Sequence, residues 1–98
     1  MADTTHEAAG HAPLFSPGDL GHFIRTERRR QGITQAVLAA RLGVSRKWLS
    51  EAENGKPTIE VGLAMAALRE LGHMLRAAPR PEPEFDIDAY LEALSRRD

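Results

Sequence analysis

Between Ser45 and Lys56 the chain reads SRKWLSEAENGK, a run in which cations and short polar groups alternate with small apolar ones. Guanidinium, ammonium, hydroxyl, carboxylate and amide groups set this closely can hydrogen-bond to base edges and phosphate oxygens. They are poorly suited to catalysis. The sequence holds no nucleophile elbow, no phosphate loop and no carboxylate pair in a plausible cleft, so neither an enzyme nor a cofactor is expected. His6, His11, His22 and His73 have no paired ligand spacing on one helix, and the chain has no cysteine, so no metal site is expected either.

For such groups to act together they must share one face of a helix. Placing Leu49 inward and advancing about 100° per residue brings Ala52 and Glu53 to the buried side and Lys47, Ser50, Glu51 and Asn54 to the outer side. Arg46 lies on the exposed first turn. This division suits a helix that enters the major groove of a duplex, with cations and short polar groups at its N-terminal half and apolar anchors behind. Ser45 and Gln35 stand at two helix N-termini, where side-chain and backbone donors can meet phosphates. Arg25, Arg29, Arg30, Arg41 and Lys56 add a surface that releases counterions from a polyanion. Trp48 falls between core and surface, and packing near Val37 or Ala52 is favoured over base stacking. The inward Glu53 needs a partner. On the first helix, Leu20 and Ile24 call for an apolar residue at 28, yet Arg28 stands there, and a buried Arg28–Glu53 ion pair is the simplest account.

The elements that must hold this face can be placed from caps and periodicity. Ser16-Pro17 opens a first helix with Asp19 in its first turn, an apolar face of Leu20, Phe23 and Ile24, and a stop at Gly32. Thr34 caps a second from about Gln35 to Leu42, whose Leu38, Ala39 and Leu42 share one side. Gly43 supplies the turn, Ser45 caps the third helix from Arg46 to Glu53, and Asn54-Gly55 before Pro57 ends it. Within IEVGLAMAALRELG a fourth helix carries two apolar stripes: Val61, Ala64, Met65, Leu68 and Leu71 for the chain's own core, Leu63 and Ala67 for another subunit. HMLRAAP then reads as a short strand. With no other strand in the sequence, it is expected to pair with its twin across a two-fold axis, so Leu63, Ala67, Met74, Leu75 and Arg76 are the expected dimer contacts. Phe85, Ile87, Leu91 and Leu94 mark a short acidic helix that needs docking to be stable.

A chain of 98 residues holds one core, with tails. We read an N-terminal arm over 1–15, one domain over 16–78, and a proline-rich linker with an acidic segment over 79–98. The net charge of -1 hides a division: residues 16–57 carry a net +4, and residues 58–98 a net -3. Neither a signal peptide nor a membrane span is visible, so a cytoplasmic protein is expected, with no membrane partner.

GITQAVLAARLGVSRKWLSEAENGKP resembles the helix-turn-helix of the Xre and phage-repressor family, whose pattern sets Thr-Gln, Leu-Ala, Gly-Val-Ser and Glu-Asn-Gly-Lys at this spacing. The resemblance extends from about Gly18 to Ala78, and IRTERRRQGITQ with LRELG looks most like the HipB-type antitoxins. It implies an all-α, lambda-repressor-like domain of four to five helices with a short C-terminal strand pairing across a dimer. It further implies a homodimeric repressor of double-stranded DNA at a palindromic operator, which also binds a HipA-like Ser/Thr kinase toxin and autorepresses the shared operon. By the same resemblance Gln35 and Ser45 touch phosphate or base edges, Arg46, Lys47 and Glu51 read bases, and Asn54 and Lys56 touch the backbone; Ser50 shares their outer face. Ala36-Val37 departs from the acidic residues common after Thr-Gln, and Trp48 takes an often polar place. The acidic segment from Glu82 is a candidate toxin contact. Two other readings stay open: a stand-alone regulator of this fold with no toxin, and a protein-interaction subunit that has lost DNA binding.

Overall fold

The computed structural model describes residues 13–80 and 87–96, which contain five helices: α1 (Pro17–Arg30), α2 (Gln35–Leu42), α3 (Arg46–Glu53), α4 (Val61–Glu70) and α5 (Ile87–Ser95). His6, His11, Glu82, Phe85 and most of the expected N-terminal arm lie outside the described residues.

Each of the first three helices starts on a hydroxyl. Ser16 Oγ accepts from the Asp19 amide (3.0 Å), Thr34 Oγ1 from Val37 (3.1 Å) and Ser45 Oγ from Trp48 (3.0 Å). Each bond satisfies one of the donors that a helix start leaves open. Asp19 also reaches back past the cap, its Oδ2 accepting from the Phe15 amide (2.9 Å) one residue before Ser16. Helix ends are as regular. At the turn after α2, Gly43 adopts φ 70°, its N–H reaches the Ala40 carbonyl (3.2 Å), and the Val44 N–H reaches that of Ala39 (3.0 Å). This double closure needs a left-handed residue at its hinge, which glycine supplies without a Cβ penalty. The same pair of bonds ends α1, α3 and α4.

Helices α1 and α3 pack on each other, while α2 touches both α3 and α4. Ile24, Leu38, Ala39, Leu49, Ala67, Leu68 and Leu71 form the buried cluster, and Leu20, Phe23, Ile33, Leu42, Val44 and Trp48 pack half-buried around it. Each fully buried aliphatic side chain is worth about 1.5–3 kcal/mol. The α1–α3 crossing is unusually close. A Cβ at Gly21 would strike the Ala52 carbonyl oxygen and stand 2.7 Å from that of Glu53, and one at Gly55 would stand 2.9 Å from the Gly18 Cα. Glycine lets the backbone of α1 lie directly against the end of α3.

One sequence expectation is corrected, and a second is not visible in the single chain. The stripes of α4 are phased differently: Val61 and Met65, expected in the core, are 69% and 48% exposed, whereas Ala67, expected at a subunit contact, is wholly buried in its own chain. A helix apolar on several sides has no phase until something packs on it, and here the alanines Ala64 and Ala67 turn inward with Leu68 and Leu71. Leu63 is half-buried. Second, residues 73–80 form neither helix nor strand. A strand exists only through its ladder, and no other described segment is extended beside this one. Helix α5 forms, but its described side chains are all exposed. No helix among the described residues is long and apolar enough to cross a membrane.

Candidate nucleic-acid interface

The outer side of α3 carries Arg46 and Lys47 exposed at its first turn, Ser50 and Glu51 half-buried further along, and Asn54 exposed at its end. Asn54 Nδ2 donates to the Ser50 carbonyl (2.9 Å), which also accepts from the Asn54 amide (3.0 Å). Lys56 Nζ lies 3.6 Å from Glu51 Oε1, both partly exposed, so each neutralises the other in the free chain. Ser45 is exposed at the α3 start, its Oγ engaged as the cap. Trp48, half-buried, packs against the core cluster.

Behind this face lies the buried ion pair. Arg28 Nε donates to Glu53 Oε2 (2.7 Å) and its second terminal nitrogen to Glu53 Oε1 (2.9 Å), a two-pronged contact that ties α1 to α3. The remaining Arg28 nitrogen donates to the Ile33 carbonyl (2.9 Å). Bonded to the carboxylate, the guanidinium is held still more firmly protonated than usual. Among the described residues no buried side-chain nitrogen or oxygen lacks a partner. Gln35 joins the pair: its Nε2 donates to Glu53 Oε1 (3.1 Å), leaving the half-buried amide at the start of α2 with a fixed orientation.

One grouping escaped the sequence reading. Arg25, Arg28 and Arg29 from α1, Thr34, Gln35 and Ala36 from the start of α2, and Arg46 from α3 line a single open cleft. Their residue types were visible as a diffuse cationic surface, but their convergence depends on how α1 crosses α3. Three exposed guanidiniums thus stand around the N-terminus of α2, a setting that attracts a polyanion. The other expected site residues lie apart: Leu63 on α4, and Met74, Leu75 and Arg76 exposed beyond it.

The architecture and its face define a helix-turn-helix protein. Residues 19–85 match the family described as "Helix-turn-helix domain". An uncharacterised HTH-type transcriptional regulator, y4mF, from Sinorhizobium fredii is 35% identical over 59 residues, covering 60% of this chain and 78% of that protein. Among solved structures, a HipB–O4 20-mer complex superposes with a TM-score of 0.67 at 21% identity, covering 72% of this chain and 100% of that one. A chain described as MDT Protein gives the same TM-score, identity and coverage. The chain belongs to the helix-turn-helix family of DNA-binding transcriptional regulators, and its fold is that of HipB.

Proposed function

We propose that the chain is a sequence-specific repressor that binds a palindromic operator as a homodimer, with α3 of each copy in successive major grooves about 34 Å apart. The observation that carries this reading is the convergence of Arg25, Arg29 and Arg46 on one cleft beside the first turn of a rigidly braced α3. Arg46, Lys47, Ser50 and Glu51 supply base contacts; Gln35, Ser45, Asn54, Lys56, Arg25 and Arg29 hold phosphates. Met74, Leu75 and Arg76, with Leu63, supply the contact between copies. We further propose that the dimer is the HipB-like antitoxin of a HipA-like kinase toxin and represses its own operon. The likeness of fold to HipB supports that role.

A gel-shift titration at two salt concentrations tests the DNA reading. Lys56→Ala should weaken binding to all duplexes alike and make it less salt-dependent, whereas Arg46→Ala should cost about 1–3 kcal/mol at one base pair. Equal losses on every sequence would remove Arg46 from base readout. A second reading is a stand-alone regulator with no toxin; the relative from Sinorhizobium fredii is named only as an HTH-type transcriptional regulator. Co-purification of a kinase-like protein encoded beside it would decide between the two.

A further inference from the structure

The end of α4 is gripped by one face of α1. Gln31 Nε2 donates to the Leu71 carbonyl (2.8 Å), and one turn earlier Glu27 accepts from His73 Nε2 (2.7 Å). A carboxylate accepts only, so the proton of that bond sits on Nε2. The His73 ring also meets Phe23 edge-on, with centroids 4.9 Å apart and planes at 79°. Two contacts in different directions fix both the position and the rotation of the ring. Glu27 is itself fixed, because Arg30 donates to both of its oxygens (2.9 and 2.8 Å). Chiefly through Arg30, and with help from His73, its carboxyl is lowered to about 2 against the opposing effect of burial, so it is charged at any physiological pH.

The buried cluster does not include His73. Leu71, two residues earlier, already closes the buried cluster, and His73 remains about a quarter exposed. Beyond the histidine the chain leaves the domain: residues 74–80 are all exposed, Met74 to 80%. His73 is therefore the last point at which the domain controls the direction of the departing chain.

We infer that His73, held by Glu27, is a positioning residue that aims the segment Met74–Arg76 at a second copy of this chain. The inference rests on the homodimer proposed above. Fixing the root of the segment before association removes an ordering cost that the dimer would otherwise carry.

Sedimentation of the full chain over a concentration series tests it, together with hydrogen exchange of the Leu38, Leu49 and Leu68 amides. His73→Phe keeps a ring against Phe23 and loses the bond to Glu27; it should weaken the dimer about tenfold, the scale of fixing one residue's backbone, with core protection unchanged. His73→Gln, whose amide nitrogen can stand near the position of Nε2, should recover affinity to within about threefold of the wild type on the same scale. Glu27→Gln should fall between them. A His73→Phe dimer as tight as the wild type overturns the inference, as does loss of core protection in step with affinity, or failure of His73→Gln to rescue. A wild-type chain that stays monomeric overturns the homodimer and this inference together; a dimeric wild type with an indifferent His73→Phe overturns only the latter.

Discussion

At the α1–α3 junction two backbones touch through glycine and a buried ion pair closes the contact, whereas on the outer side of α4 and just beyond it apolar side chains stand in solvent. Arg28, Glu53 and Gln35 share a closed set of hydrogen bonds, and Gly21 lies against the Ala52 and Glu53 carbonyls. Val61, Met65, Met74 and Leu75 have no such cover. The first region is finished within one chain and holds α3 rigidly from behind, as a helix that must meet base edges at fixed distances requires. The second is unfinished, and the proposed second copy would complete it. Changes in the first region should therefore act on folding at any concentration, and changes in the second on association.

The largest effect should come from Glu53→Ala. Removing one partner of a buried ion pair strands the other, at a cost of about 3–5 kcal/mol, against a total stability of about 5–15 kcal/mol for domains in general. Denaturant unfolding should show the variant largely unfolded or close to it. The double change Arg28→Met with Glu53→Leu, which removes both charges and keeps the volume, should recover most of the loss. A stable Glu53→Ala would mean that the junction is held by its backbone contacts alone.

Those backbone contacts are next in size. Gly21→Ala would ordinarily help a helix, but its Cβ would meet two carbonyl groups of α3. Carbonyls at a packed crossing cannot step aside as a flexible side chain can, so a loss of about 1–3 kcal/mol is expected, the usual cost of overpacking. Thermal melting would show it, and an unchanged melting temperature would mean that the helices can separate freely.

Acid should act where the two regions meet. Glu27 has its carboxyl lowered from an ordinary 4.5 to about 2 in the folded chain, mainly by Arg30. Its contribution is therefore complete above about pH 4.5 and is lost as the pH falls toward 2. Denaturant stability measured across that window should decline less steeply in Glu27→Gln than in the wild type. Parallel curves would show that the carboxylate gains nothing from Arg30 and His73.

Much of the first region was legible because its signals are local. Ser16, Thr34 and Ser45 precede apolar periodicity, and Gly32, Gly43, Gly55 and Gly72 come after it, so helix limits could be read within a few residues. Arg28 and Glu53 were legible for another reason: each is a charge in a slot where the wheel asks for an apolar residue. The second region offered no comparable anomaly. An alanine-rich helix can bury any side, and only its packing against α2 shows that Ala67 is inside and Met65 outside. Glu27 and His73 are 46 positions apart, with no periodicity linking them. The cleft of Arg25, Arg29 and Arg46 likewise depends on a crossing angle that no single helix records.

The gentlest probes lie on α4, where the comparison can be made with the same substitution used at Gly21. Gly62 has open space where its Cβ would stand, so Gly62→Ala should raise stability by about 0.5–1 kcal/mol through lost freedom of the unfolded chain. Opposite signs at positions 21 and 62 would separate a packed backbone from an open one. Met65→Lys should do less still. Its side chain reaches solvent in the single chain, so denaturant unfolding of dilute protein should move by no more than about 0.5 kcal/mol. A loss above that at monomeric concentrations would return Met65 to the core and reverse the phase of α4. A loss that appears only as the protein is concentrated would place this face at the contact between copies.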